Sequence, residues 1–200
     1  MRRGGSVRPV ARPAASVEEP AGLVYRPEFV TPGEESELLA FLGRLDFHEV
    51  VMHGQAARRT VRHYGLDYAY ESRTATPGEP LPDALVPLRD RSAGLAAIEP
   101  DALAEALVTR YPPGAGIGWH RDAPMFGAPV VGVSLGSACR MRFQRAVGGV
   151  RRTFALDLEP RSAYVLGGAA RWAWQHSIPA TNGLRYSVTF RTLREGKRRE

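Results

Sequence analysis

From about residue 107 onward the chain is written in short β-rich runs, and this texture constrains its fold more than any other feature. Residues 130–135, 139–144, 153–158, 162–166, 172–178 and 184–192 follow one another, each bounded by Gly, Pro, Asn or a charged turn. Many short strands at such spacing predict a jelly roll or barrel, in which sheets close on one another to bury their apolar faces and remove exposed edges. Gly148-Gly149 reads as a hairpin turn, because no helical pattern follows it.

The earlier half is mixed. Residues 23–29 predict a strand. Thr31-Pro32-Gly33-Glu34 has the N-cap, the proline and the glutamate three residues on of a capping box. Leu38, Leu39, Phe41, Leu42 and Leu45 follow at helical spacing, so an amphipathic helix buttressing a sheet is expected. Residues 47–52 and 60–70 read as strands, 74–82 as a loop, and 83–98 as a helix with Pro87 near its start and Gly94 weakening its end. Residues 101–106 predict a helical turn leading into a strand over 107–111. The expected class is α+β, mainly β.

Two hundred residues fit one domain, expected over 21–193, with a disordered basic leader at 1–20 and a basic tail at 194–200. The formal net charge is +6. Residues 1–20 hold four arginines and two glutamates, and residues 192–200 four basic and two acidic residues, so the tails carry most of that excess. Local patches at Arg58, Arg59 and Arg62, and at Arg140, Arg142, Arg145, Arg151 and Arg152, point to phosphate more than the total does. Tyr64, Tyr68 and Tyr70 beside the first patch are materials for stacking a base, although aromatic residues also suit a half-buried sheet. No apolar run approaches the roughly 20 residues of a membrane helix. The single Cys139 allows no internal disulfide, so a cytoplasmic monomer is expected. No Ser-His-Asp order, zinc-like Cys spacing or phosphate loop is present.

The residues that carry chemistry lie in 111–122, at His176, and in 185–191. In an extended strand residues two apart point the same way, so His120 and Asp122 can present an imidazole and a carboxylate to one point. A distant third ligand, for which His176 is the candidate, completes two histidines and a carboxylate, the facial set of non-heme Fe(II) oxygenases. Arg185 and Arg191, six apart in a β-rich run, share a face. Two inward arginines are costly unless they meet an anion, and a dicarboxylate would supply it.

In order and separation, Thr109-Arg110-Tyr111-Pro112-Pro113-Gly114, His120-Arg121-Asp122, the run from Gly167 to His176, and Arg185 through Arg191 resemble the AlkB-like family of Fe(II)- and 2-oxoglutarate-dependent dioxygenases. The likeness covers about residues 20–193. It implies a double-stranded β-helix (jelly-roll) core packed by the earlier helices, with Fe(II), 2-oxoglutarate and O2 as cofactors. It further implies His120, Asp122 and His176 as metal ligands, Arg185, Arg191, Tyr111 and Thr109 at the cosubstrate, and Arg62, Tyr64, Tyr68 and Arg171 toward the substrate. Thr109 stands where the family often has Asn, and Pro124 where some members have an acidic residue that meets the modified base. The implied activity is oxidative demethylation of N-alkylated bases in DNA or RNA, with succinate, CO2 and formaldehyde released. The alternatives are an oxygenase of the same chemistry acting on a protein or small molecule, and a catalytically silent β-barrel binding module.

Overall fold

The computed structural model describes residues 16–52, 55–69 and 74–194. In chain order these form β1 (Ser16–Val17), β2 (Leu23–Arg26), α1 (Pro32–Leu42), β3 (His48–Met52), β4 (Gln55–Tyr64), β5 (Leu66–Ala69), β6 (Thr74–Pro77) and α2 (Val86–Ala96). There follow β7 (Leu103–Tyr111), β8 (Ile117–His120), β9 (Phe126–Gly136), β10 (Cys139–Val147), β11 (Val150–Leu158), β12 (Ser162–Leu166), α3 (Gly168–Trp172), β13 (Gln175–Ile178) and β14 (Arg185–Leu193). A seven-stranded sheet runs β2-β12-β9-β14-β7-β4-β3, and a five-stranded sheet runs β1-β11-β10-β13-β8. A mainly β jelly roll carrying helices on one side is therefore the architecture, as expected. The segment read as a leader enters the fold earlier than residue 20, since Ser16 and Val17 pair with Arg152 and Thr153. Residues 1–15 and 195–200 lie outside the described residues.

Alternation along the large sheet divides its faces by chemistry. Val108, Val188, Phe190, Val133 and Leu135 point to one side and pack with Leu38 and Leu42 of α1 and Leu88 of α2 in one apolar cluster. The residues between them, Tyr111, Thr109 and Glu105 on β7 and Arg185, Ser187, Thr189 and Arg191 on β14, point to the other side and are all buried. A second apolar cluster, with Met141, Phe143, Leu158, Trp174 and Ile178, ties the small sheet to Val130, Tyr164 and Leu166 of the large one. Gly132 makes room between the sheets, because a Cβ there would collide with the Tyr164 ring.

The capping box forms as the sequence predicts: the Glu34 amide donates to Thr31 Oγ1 at 3.2 Å, and the Thr31 amide to Glu34 at 2.7 Å. Thr31→Ala is expected to cost about 1 kcal/mol, read as a drop in melting temperature of about 2–4 °C. Arg91 of α2 also donates to Glu34, and these hydrogen bonds hold the Glu34 carboxyl at about 2, against an ordinary 4.5. A folded value below the unfolded one contributes stability that is complete above 4.5 and lost as pH falls toward about 2. Acid unfolding of Glu34→Gln should lack that part of the pH dependence.

Three expectations change. The helical turn expected over 101–106 is one 3-10 turn, Pro100–Ala102, after which β7 begins at Leu103. The strand expected over 60–70 breaks at Gly65, whose φ of 79° suits glycine. Residues 74–77 of the expected loop form β6, paired with β5.

Candidate functional site

Strand register brings the site together. On the small sheet β8 pairs with β13 so that His120 faces His176 directly, and their rings lie 4.3 Å apart between centroids. On the large sheet Arg185 faces Tyr111 and Arg191 faces Glu105 across the β14–β7 ladder. The ladder then slips between Arg191 and Thr192, a bulge of the kind that re-aims side chains near a site. Asp122 lies two residues beyond the end of β8, in a loop, and not on the strand that the spacing suggested.

What holds Asp122 is Arg171. This buried guanidinium donates to the carbonyls of Gly127, Asp122, Ala123 and Phe126 at 3.0, 3.4, 3.0 and 2.6 Å, closing the loop against α3. Arg171, expected toward the substrate, is thus engaged with backbone: it lies buried on α3, and the strand expected over 172–178 begins only at Gln175. Arg171→Ala would leave those carbonyls unmet and should cost at least about 3 kcal/mol. The melting temperature should fall by about 6–12 °C.

Beside this loop, Arg191 Nη2 meets Asp122 Oδ1 at 3.0 Å, and Asp122 Oδ2 lies 3.9 Å from His176 Nε2. Burial pushes the Asp122 carboxyl up, but the charges of Arg191, His176, His120 and Arg171 outweigh it and hold the group at about 2, an anion. Burial, with His120 close by, lowers His176 to about 3, so its imidazole is neutral. Burial lowers His120 as well, against the pull of Asp122. Its Nδ1–H donates to the Gly118 carbonyl at 2.9 Å, which leaves Nε2 as the lone-pair atom.

A neutral histidine pair and a fixed carboxylate have the chemistry to take a divalent iron. Cis ligands of a first-row metal, each about 2.1 Å from it, stand about 3 Å apart. The 3.9 Å between His176 and Asp122 is wider, and among the described residues no three such side chains close on a cation as they stand. The Asp122 carboxylate is drawn toward Arg191 instead.

Arg185 is fully buried, and only its Nε has a partner of ordinary geometry, Ser134 Oγ at 3.0 Å. Nη1 and Nη2 make no hydrogen bond within the described residues. The guanidinium carbon sits 5.0 Å from the centre of the Tyr111 ring. Burial raises the Tyr111 hydroxyl, with Arg185 and Arg59 pulling it back. An unmet buried cation is unfavourable, and its two free nitrogens form a fork matched to a carboxylate. Thr109, buried one rung from Tyr111 and opposite Ser187, stands on the same polar face.

The tyrosine and arginine segment is corrected by parity. Val61 pairs with Thr109, so odd-numbered residues of β4 face the site and even-numbered ones face the helices. Tyr64 is accordingly 4% exposed in the helix-side core, and Arg62 pairs with Glu79 and His48. The charge that reaches Tyr111 and His120 from β4 is that of Arg59. The Tyr68 side chain and all of Tyr70 lie outside the described residues. Sequence reasoning also passed over Glu105 and His63, which meet at 2.9 Å, and Tyr164. For Glu105 a signal was present, a lone carboxylate in the apolar run Leu103-Ala104-Glu105-Ala106-Leu107-Val108. Of the tryptophans, Trp174 is core, while Trp119 and Trp172 are exposed beneath Arg142 and beneath Arg171 and Arg194. A groove of about 330 Å³ between α1 and α2 lies across the large sheet from all of this.

Residues 24–191 match the model of the 2OG-Fe(II) oxygenase superfamily, and the chain belongs to that superfamily. Within it the likeness is to AlkB-type proteins. The chain is 31% identical over 185 residues to the alkylated DNA repair protein ALKBH8 homolog of Arabidopsis thaliana, covering 79% of this chain and 51% of that one. It is 34% identical over 149 residues to the alpha-ketoglutarate-dependent dioxygenase AlkB of Escherichia coli K12, covering 66% and 65%. It thus spans about half the length of the Arabidopsis protein, and less of the mouse ALKBH8 tRNA methyltransferase, of which it covers 24%. The solved structure of OsALKBH1 superposes with a TM-score of 0.68 at 17% identity, over 88% of this chain and 98% of that one, a likeness of fold. Family membership makes the chain an oxidoreductase of the dioxygenase type, with Fe(II), 2-oxoglutarate and O2 as its cofactors.

Proposed function

We propose that the protein oxidatively removes N-alkyl groups from nucleic-acid bases, with His120, Asp122 and His176 binding Fe(II) and Arg185 binding the distal carboxylate of 2-oxoglutarate. The observation that carries this reading is the buried, half-satisfied Arg185 fork beside Tyr111, in the same interior as the neutral histidine pair and the anionic Asp122. When bound, iron and 2-oxoglutarate supply the oxidation of an unactivated C–H bond by O2, with succinate and CO2 leaving; an N-methyl carbon so hydroxylated departs as formaldehyde.

The chain's own residues prepare for that step. Gly118 fixes the His120 tautomer that presents Nε2. Arg191 holds Oδ1 of Asp122 and leaves Oδ2 turned to His176. Tyr111 and Thr109 offer hydroxyls along the path from Arg185, and the buried Tyr164 ring packs over Gly132 in the same interior.

Nucleic acid as substrate is supported by the name of the Arabidopsis relative, an alkylated DNA repair protein, and by the arginine-on-tryptophan pairs at Trp119 and Trp172, which suit stacking and phosphate contact. A base within a duplex would have to be flipped out to reach the site. We take the protein to be a cytoplasmic monomer; among the described residues no helix is long and apolar enough to cross a membrane. A second reading, oxidation of a protein or small molecule, is favoured by the helix-side placement of Arg62 and Tyr64. Formaldehyde and succinate released from a panel of N-methylated DNA and RNA oligonucleotides decide between them. Release in equal amounts is expected, whereas 2-oxoglutarate decay with no formaldehyde from any oligonucleotide selects the second reading.

A further inference from the structure

Glu105 has no part in the reading above, yet its side chain is fully buried. Its two oxygens are both engaged, Oε2 with Arg191 Nη1 at 3.2 Å and Oε1 with His63 Nδ1 at 2.9 Å. Arg191 in turn spends Nη2 on Asp122 at 3.0 Å. Four side chains from β4, β7, β14 and the loop after β8 thus form one buried line, His63 to Glu105 to Arg191 to Asp122. The fold does not require a carboxylate there: Leu107, two residues on and on the same face of β7, is apolar, and a buried charge is more costly than a leucine.

What the carboxylate changes is the charge felt at Asp122. With Glu105 present, Arg191 is shared between two anions, and the cluster of Glu105, Arg191 and Asp122 keeps a net negative charge. Without it, more of the guanidinium charge falls on Asp122, where it competes with any divalent cation for the same oxygens. Bonded to Glu105, Arg191 is also held at Oδ1 and kept off Oδ2.

We infer that Glu105 is a positioning residue for the metal site, neutralising and anchoring Arg191 so that Asp122 keeps Oδ2 available to a divalent cation, with His63 fixing Glu105 in turn. This rests on the reading of Asp122 as a ligand. The test is anaerobic Co(II) titration of the full chain, free of turnover, followed by 2-oxoglutarate binding at saturating Co(II).

Glu105→Gln is expected to weaken Co(II) binding about tenfold or more while leaving 2-oxoglutarate binding unchanged or tighter, since the loss of a negative charge cannot repel a dianion. In an Arg191→Gln background the same change should have little effect, because Glu105 acts through Arg191. His63→Gln should weaken Co(II) binding by a smaller factor, about threefold, and decides the matter if Glu105→Gln does not fold. Wild-type Co(II) affinity in either variant overturns the inference, as does parallel loss of Co(II) and 2-oxoglutarate binding, the mark of a merely structural role. His120→Ala separates the two levels. If it abolishes Co(II) binding while Glu105→Gln does not change it, the inference alone fails; if it leaves Co(II) binding intact, the ligand reading fails.

Discussion

Arg185→Met is expected to make the ligand-free protein more stable and to remove most of its response to 2-oxoglutarate. The guanidinium is fully buried and, among the described residues, its two terminal nitrogens have no hydrogen-bond partner of ordinary geometry, so in the absence of an anion it is a cost carried by the fold. Replacing a poorly compensated buried ion with an apolar side chain of similar length is often worth about 1–4 kcal/mol of stability. Each kcal/mol raises the melting temperature of a chain this size by about 2–4 °C. The ligand reverses the order. At a concentration about 100 times its dissociation constant, 2-oxoglutarate should stabilise the wild-type protein by about 2.7 kcal/mol, a shift that should fall below about 1 kcal/mol in the variant. Losing one partner of a buried charge pair costs about 2–5 kcal/mol, so 2-oxoglutarate affinity should fall by a factor between about 30 and several thousand. Thermal melts with and without the dicarboxylate read both effects. A variant that melts lower than wild type and shifts with 2-oxoglutarate as far as wild type does would place the carboxylate elsewhere.

The second large effect is on turnover. His176→Ala and Asp122→Ala should each lower oxidation by at least about three orders of magnitude, the several kcal/mol that a bound metal contributes. Asp122→Asn is the sharper comparison, since it keeps the shape next to Arg191 and His176 but removes the anion. It should bind Fe(II) far more weakly while retaining a circular dichroism spectrum like that of wild type.

Those residues were visible in the sequence because their geometry is local. Six residues along one strand put Arg185 and Arg191 on one face, whatever the rest of the fold does. The meeting of His120 with His176 depends on cross-strand register across 56 positions, which composition and spacing do not encode; the family pattern supplied that pairing. Parity on β4 was illegible for a related reason. Both faces of that strand are covered, one by helix-side core and one by the polar interior, so apolar and polar residues do not alternate, and Arg62 and Tyr64 looked as eligible as Arg59 and His63. Asp122 was expected on a strand, but β8 stops at His120, and the loop beyond it is set by Arg171, 49 residues away. The turn of α3, between the runs read as strands over 162–166 and 172–178, begins at Gly168, whose φ of 42° suits glycine, and it delays β13 to Gln175. Glu105 carried only the faint signal of a charge among apolar residues, and its meaning lies in partners on two other strands, His63 on β4 and Arg191 on β14.

The central claim is that His120, Asp122 and His176 share a ferrous ion with a 2-oxo acid held by Arg185. Anaerobic addition of Fe(II) and 2-oxoglutarate to the full chain tests it through the visible charge-transfer absorption of a ferrous ion chelated by a 2-oxo acid. The absorption should saturate near equimolar iron, vanish in His176→Ala, and in Arg185→Met appear only at much higher 2-oxoglutarate. No absorption in the wild-type protein, or an absorption that survives loss of His176, would contradict the account.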